Sequence, residues 1–477
     1  MRVRLPIACA TAAVALLATA SPSLGAGRRW SKITADTNSN IQQVGLARTD
    51  DRVLKVAWLR ERPGDTRDLV VTTLQRDGRA GASVTVLSGW KQLGYPALVR
   101  TGGRSLLAVF GGIRTLTAGD PADGLLTAST PDGTAWTLGP ALDTTSPAAG
   151  ASPGAVLGPP PARTLYAAFA SGSAWVYAGL TPGAGLSTFT GAGCCYYNGN
   201  VAVDGKTGQV VLAYDSNVTG DPGRHVQPVD AAGRPAGAPI RPPGAAVRFD
   251  GRLEAQFGAS ARAPITGRPG KAGIFTAYDS GYVKTNRILV WRLGARRAVT
   301  LARRPDNTFA LASVGIAAAP SGRLWVFWAE RASTPSGYVV VARRSNRAAT
   351  RFGPRIVKPP PPGTSGIYAA AGNAQTGPLD LLLTVGRVNA VATWHRQFIT
   401  GVSLFPTPRR ARPGQKVTFL VTDAGDPVRR ARVRFGTRSA RTNAKGKVTL
   451  PAPAATAIAT VTASGYGAAR AKVTITR

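Results

Sequence analysis

The 477-residue sequence is poor in cysteine, histidine, methionine and carboxylates, with three Cys, two His, one Met and 23 Asp plus Glu. Each shortage excludes something. Cys9 lies in the N-terminal segment and only the adjacent Cys194 and Cys195 remain, so there is no disulfide framework and the core must supply stability. His225 and His395 cannot form a typical His-based metal site, and the chain has no G-x-S-x-G elbow, phosphate loop or H-E-x-x-H. Nothing beyond the N-terminus sustains a helical period, while 56 Gly and 36 Pro interrupt every window, so helices should be nearly absent. No apolar run reaches the roughly 20 residues of a membrane span. The longest runs from Leu5 to about Ala20, follows Arg2 and Arg4, and precedes small residues through Ala26, the pattern of a secretory signal peptide. The expectation is a secreted or cell-surface protein without a transmembrane anchor.

What the chain has in excess is positive charge. Lys and Arg number 59, for a formal net charge of +36 carried mostly by arginine. Such a surface attracts anionic polymers, although arginine beside abundant Ala, Gly and Pro is also what the coding bias of a G+C-rich genome produces. Basic stripes interleaved with aromatics are missing, so nucleic acid is a poor partner. An extracellular glycan or an anionic envelope polymer fits an exported basic chain better, and no cofactor is implied. With 44% apolar and 17% charged residues, the chain is long enough to bury a sizeable core.

A recurring phrase organises most of the sequence: a Gly/Pro/polar turn, then an apolar strand ending in a small or branched residue and an aromatic. Its instances are Val56-Ala57-Trp58, Ala108-Val109-Phe110, Ala167-Ala168-Phe169, Leu212-Ala213-Tyr214, Thr276-Ala277-Tyr278 and Val326-Phe327-Trp328. Their aromatics stand 52, 59, 45, 64 and 50 residues apart, the span of a four-stranded sheet with its turns. A weaker seventh copy runs through Tyr368–Gly372, Leu379–Val385 and Ala390–Gln397 but lacks a fourth strand. Arg29–Ile33 reads like Arg351–Ile356 and could supply it, joining the first and last units and leaving no open sheet edge. The expected fold is all-β: a seven-bladed, alternatively six-bladed, β-propeller over residues 27–398, followed by a small β-sandwich over 399–477.

Over roughly Arg28 to Phe398 the chain resembles the sialidase-like propellers, whose Asp-box hairpin has the form S-x-D-x-G-x-T-W. Ser129-Thr130-Pro131-Asp132-Gly133-Thr134-Ala135-Trp136 keeps the Ser-to-Trp spacing but has Pro131 in place of Asp and Ala135 in place of Thr. Ser345–Phe352 keeps only the Ser and an aromatic. The match is one of architecture, which hosts enzymes, lectins and scaffolds alike. A sialidase-like hydrolase or lyase would need a Tyr-Glu pair, an Asp and several arginines; none of the few carboxylates lies in a recognisable motif. Gly425-Asp426-Pro427-Val428, Thr442–Val448 and Ala463–Gly467 resemble a bacterial Ig-like or carboxypeptidase-regulatory-like module, which implies an accessory, spacing or adhesive role. Residues 401–477 carry 11 Arg and 4 Lys against 2 Asp.

In propellers, the loops after the second strands and those leading into the first strands share one end of the channel, the usual binding face. Candidate ligand-binding residues there are Cys194, Cys195, Tyr196, Tyr197, Asp215, Asp279, Tyr282, Glu330 and Arg331, with Arg60 and Glu61 in the corresponding loop of the first unit. A bridge between Cys194 and Cys195 would be a strained ring, since consecutive Cα atoms stand about 3.8 Å apart. With Tyr196 and Tyr197 it would form a rigid stacking platform, or merely stiffen a turn while the tyrosines pack inward. The acidic residues could orient ligand hydroxyls or coordinate a hard cation, or pair with neighbouring arginines. The expected function is a secreted binding or scaffold protein, the alternative a glycan-active hydrolase or lyase.

Overall fold

The computed structural model describes residues 29–476 apart from 35–42, 76–77, 116–122, 172, 180–182, 184, 190–195, 217, 219–220, 246–261, 280–285, 306–313, 335–336 and 388–389. The signal segment, Cys194, Cys195 and Tyr282 therefore lie outside the described residues. Within them the chain is all-β, and the single helical turn is Ser146–Ala149.

The second strand of each successive sheet carries the repeated phrase: Leu54–Arg62, Ser105–Ile113, Leu165–Ser171, Val210–Ser216, Lys271–Asp279 and Leu324–Arg331, with Leu379–Arg387 in the seventh. These strands are continuous apolar runs because neighbouring sheets cover both of their faces. Trp58, Phe110, Phe169, Tyr214, Tyr278 and Trp328 are all buried. Register shows that they are equivalent. The residue before the aromatic pairs with the first strand at Gly45, Ala97, Gly154, Asn200 and Gly315 in turn, and in the fifth sheet the Ala277 N–H donates to Pro264 O.

The seven first strands, Gly45–Arg48, Ala97–Gly102, Gly154–Leu157, Tyr196–Val203, Ile265–Arg268, Gly315–Ala318 and Gly366–Asn373, each pack on the next, and the last returns to the first. The sheets thus form a closed ring, a β-propeller arrangement. Approach between first strands is too close for side chains in places: a Cβ on Gly154 would lie 1.8 Å from Asn200 Oδ1, and one on Gly267 1.7 Å from Val203 O. Ser31–Lys32 pairs antiparallel with Ala390–Phe398, so the N-terminal segment provides the outer strand of the seventh sheet. The fourth sheet has three ladder strands. Its outer position is taken by residues 235–240, which touch Val229 and Val226 only through isolated bridges, because Pro235 and Pro239 have no N–H to give a ladder.

Residues 403–475 form two further sheets, one built on Lys416–Asp423 and the other in the order Arg410–Ala411, Ala469–Ile475, Ala457–Thr462, Arg432–Phe435, Arg438–Arg441. Their inner faces share a core in which Phe419 and Phe435 meet edge to face at 5.1 Å among Val417, Val421, Val433, Val461 and Val473. The turn after Asp423 docks under the sixth sheet of the ring. Arg323 Nη1 lies 3.1 Å from Asp423 Oδ2 and Arg323 Nη2 2.6 Å from Asp426 Oδ2. Arg344 also pairs with Asp423 and lies over the rings of Trp325 and Tyr466.

Candidate functional site

Chain direction gives the ring two ends. First strands start, and second strands stop, at the end called upper here. Tyr197 stands opposite Asp215 in register, and Tyr196 meets Tyr214 edge to face at 5.8 Å, so the Tyr196 ring packs against its own sheet. Tyr214 in turn stacks on the buried His225 at 5.3 Å. Asp215 is buried and takes a two-pronged contact from Arg224, at 2.5 Å from Nε and 3.0 Å from Nη2, while Asn198 Nδ2 donates to it at 2.9 Å. Arg224 Nη1 reaches on to Thr276 Oγ1 and Ala277 O, both at 3.4 Å, and so braces the fourth sheet against the fifth.

Other carboxylates at this end are also engaged, Glu330 and Asp68 among them. Glu330 pairs with Arg355, lies 3.6 Å from Arg304 Nη2, and accepts a 3.1 Å hydrogen bond from Trp328 Nε1. Asp68 is paired with Arg60 at 2.6 Å and with Arg62 at 3.5 Å, and accepts from the Gly89 N–H at 3.0 Å. Glu61 stands opposite Arg67, and Asp279, half-exposed, opposite Ile288. Arg331 is exposed and stands directly opposite Tyr338. The structure therefore brings Tyr196, Tyr197 and Asp215 together on the fourth sheet, and Glu330 and Arg331 together on the sixth, without merging the two groups. Among the described residues, no three His, Cys, Asp or Glu side chains cluster to hold a metal ion.

These pairings predict acid sensitivity. Burial works to raise the Asp68 carboxyl, but the hydrogen bonds from Arg60 and the Gly89 N–H outweigh it and hold it below the usual carboxylate range. Burial likewise opposes, and the N–H groups of Thr207, Gly273 and Lys206 overcome, at Asp204. At the lower end, Asp132 is held down by the hydroxyl and N–H of Thr134. A carboxyl whose folded value is depressed stabilises the fold above its unfolded value, about 3.9, and loses that contribution as pH falls through the folded value. Melting temperature should therefore hold on the acid side down to about pH 4 and drop below it. An unchanged melting temperature through pH 3 would show that these carboxylates contribute nothing.

A cavity of about 200 Å³ lies on the ring axis and is lined by residues from all seven sheets. Arg262, just ahead of the fifth sheet's first strand, spans its upper mouth: Nε donates to Pro153 O at 2.8 Å, Nη2 to Tyr95 O at 2.8 Å and Nη1 to Val44 O at 3.3 Å. Burial pushes this guanidinium down to about 9. Among so many arginines, nothing in the sequence singles it out. Beside it Asn200 Nδ2 donates to Ala263 O at 2.7 Å, adding a further backbone acceptor to the mouth's hydrogen bonds.

A larger opening at the upper end is a groove of about 520 Å³ formed by the third and fourth strands of the sixth sheet and the proline segment that follows them. Thr334, Tyr338, Val357, Lys358 and Pro359–Pro362 line it. Four consecutive prolines have fixed φ and no N–H, so this wall is stiff and cannot donate from its backbone. Trp30 Nε1 donates to Pro359 O at 2.8 Å and ties the wall to the N-terminal strand. The proline run is conspicuous in the sequence, but nothing there shows that Tyr338 faces it.

The sequence matches no protein-family model and no curated protein. Solved structures similar to the chain include a Hadza microbial sialidase, at 12% identity and TM-score 0.44 over 76% of this chain and 66% of that one. The endo-arabinase of Bacteroides thetaiotaomicron is 11% identical at TM-score 0.34, covering 77% of this chain and 97% of its own. A protein of unknown function from Dyadobacter fermentans is 12% identical at TM-score 0.40, covering 64% and 94%.

Proposed function

We propose that the chain is a secreted binding or scaffold protein, a seven-bladed propeller that presents its upper-end groove to an extracellular glycan and carries a basic Ig-like module. The observation behind this reading is the make-up of the groove. Tyr338 and a proline wall line it, and the exposed Arg331 stands opposite Tyr338 on the neighbouring strand, whereas among the described residues its lining contains no Asp or Glu. Aromatic and proline surfaces pack on the apolar faces of sugar rings, and an arginine fork reads carboxylates or hydroxyls. A glycosidase of the usual kind instead needs two carboxyls about 5 to 9.5 Å apart across the scissile bond. Glu330, the nearest candidate, is held by Arg355, Arg304 and Trp328.

A glycan array probed with residues 27–477 tests the reading. Tyr338→Ala should weaken binding of the hits roughly tenfold, the scale of one lost aromatic contact of about 1.5 kcal/mol. Arg331→Ala should weaken acidic hits more than neutral ones. Equal binding by Tyr338→Ala and the unaltered protein would remove the groove from consideration, and turnover of a bound glycan would move the protein to the hydrolase class.

A further inference from the structure

The second C-terminal sheet turns one face to the core and the other to solvent. Along Arg432–Phe435 and Ala457–Thr462 the inward residues are Val433, Phe435, Ala459 and Val461, all buried. Residues directly opposite one another share a face of a sheet, so the register fixes what lies on the outer side. Arg432 stands opposite both Arg441 and Thr462, Arg434 opposite Ser439 and Thr460, Thr460 opposite Arg470, Ile458 opposite Lys472, and Arg410 opposite Thr474. Arg441, Arg432, Arg434, Arg470, Lys472 and Arg410 are all exposed and form a diagonal band across the sheet, with four of its five strands supplying cations and the middle strand, Ala457–Thr462, supplying hydroxyls. At about 4.8 Å per strand, the band spans roughly 19 Å.

Two features make this band more than a solvated surface. Arg432 and Arg441 are like charges directly opposite each other, an arrangement that costs stability. No carboxylate of the module relieves it, because the only two in residues 401–477, Asp423 and Asp426, are turned into the junction with Arg323 and Arg344. The counter-charge is left to solvent ions or to a bound anionic partner.

We infer that this outer face is a docking site for a linear acidic polysaccharide, an inference that rests on the export and glycan-binding reading above. The face is an open sheet, suited to an extended chain. Its cations are mostly arginines, whose forks match carboxylate or sulfate groups in pairs, and they alternate with the hydroxyls of Ser439, Thr460, Thr462 and Thr474, which suit sugar hydroxyls. Along a strand the cations recur every second residue, about 7 Å apart, a repeat a polysaccharide can meet with one charge per sugar or every other sugar. Membrane insertion is disfavoured, since Ile458, at 57% exposure, is the one large apolar residue on the face.

The test uses residues 27–477 and polygalacturonate, with neutral dextran, anionic phospholipid vesicles and duplex DNA as comparisons. Binding to polygalacturonate is expected at low salt and should fade at 1 M salt, where screening acts within about 3 Å. The double substitution Arg434→Ser with Arg470→Ser should weaken it roughly tenfold, the scale of two exposed charge-assisted contacts. Arg412→Ser with Lys445→Ser removes the same charge from exposed turns and should leave binding near its original strength. Tyr338→Ala should also leave it unchanged, which separates this face from the propeller groove. Equal losses from the two double substitutions would reduce the effect to net charge and overturn the site. Tighter binding to vesicles or DNA than to polygalacturonate would overturn the assigned partner.

Discussion

Replacing Asp423 with alanine should loosen the C-terminal module from the ring and cost about 3–5 kcal/mol, the usual loss when one partner of a buried ion pair is removed. Asp423 is 2% exposed, and the arginines that share it, Arg323 and Arg344, are 4% and 7% exposed. Burial already pulls the Arg323 guanidinium down, which shows that the charge sits there at a cost offset by Asp423 and Asp426. Without Asp423, Arg344 loses its carboxylate partner and keeps its contacts with Trp325 and Tyr466, and the Tyr466 hydroxyl loses its 3.2 Å acceptor. Arg323 keeps Asp426 at 2.6 Å, so the module should swing rather than unfold. The expected signature is a new low-temperature calorimetric transition and faster proteolysis near Thr400. Asp423→Asn retains an acceptor without the charge and should fall between. If Asp423→Ala melts and digests like the original protein, the network does not hold the module.

The ring itself was legible because its physics is local. A second strand covered on both faces must be apolar throughout, and it ends where the upper loop begins; hence the six aromatic-ended phrases all occupy one structural position. Arg29–Ile33 was also readable, since a strand that completes a sheet resembles the strands it replaces. Turn chemistry was only half readable. Asp132 sits one position later than the Asp-box pattern asks, yet its carboxylate takes the N–H groups of Thr134 and Ala135 at 2.8 and 3.3 Å and closes the hairpin all the same. Asn346 does the same for Thr350 and Arg351, and Asp230 for Ala232 and Arg234, the last with no pattern to announce it. Any short acceptor that reaches two N–H groups will serve, so spacing underdetermines the turn. Arg262, the Tyr338 groove and the Asp423 junction were illegible for a different reason. Arg262 and the Asp423 junction join residues remote in sequence, and arginine is too common here for any one position to stand out; the groove's residues are near in sequence, but composition does not say which of them face one another.

The second large effect is expected at the seam of the ring. Asp380, on the second strand of the seventh sheet and 3% exposed, pairs with Arg48 of the first sheet. His395 Nε2 lies 3.0 Å from its other oxygen, Gln397 Nε2 donates to it at 3.3 Å, and His395 Nδ1 lies 3.2 Å from Gly78 O of the first sheet. Asp380→Ala would strand a buried guanidinium and a buried imidazole at once, with a loss of about 3–5 kcal/mol. Asp215→Ala breaks a buried pair within the fourth sheet, whose Arg224 also braces the fifth, but those two sheets are also joined through the chain that connects them in sequence. At the seam, Arg48 and Asp380 lie more than 300 residues apart in sequence, and the chain joins the two sheets directly only through the short Ser31–Lys32 strand that precedes Gly45–Arg48. What remains there includes the Ser31–Lys32 strand, the Ile33 N–H to Thr393 O bond at 2.8 Å, the Arg48 Nε to Asn373 Oδ1 bond at 3.4 Å, the His395 contact with Gly78 O, and side-chain packing. Hydrogen exchange should therefore show Asp380→Ala deprotecting Ile33, Gly45–Arg48 and Ala390–Phe398 ahead of the rest of the ring, whereas Asp215→Ala should stay local to its two sheets. Deprotection spread evenly around all seven sheets after Asp380→Ala would mean that the ring opens as one unit with no weak seam.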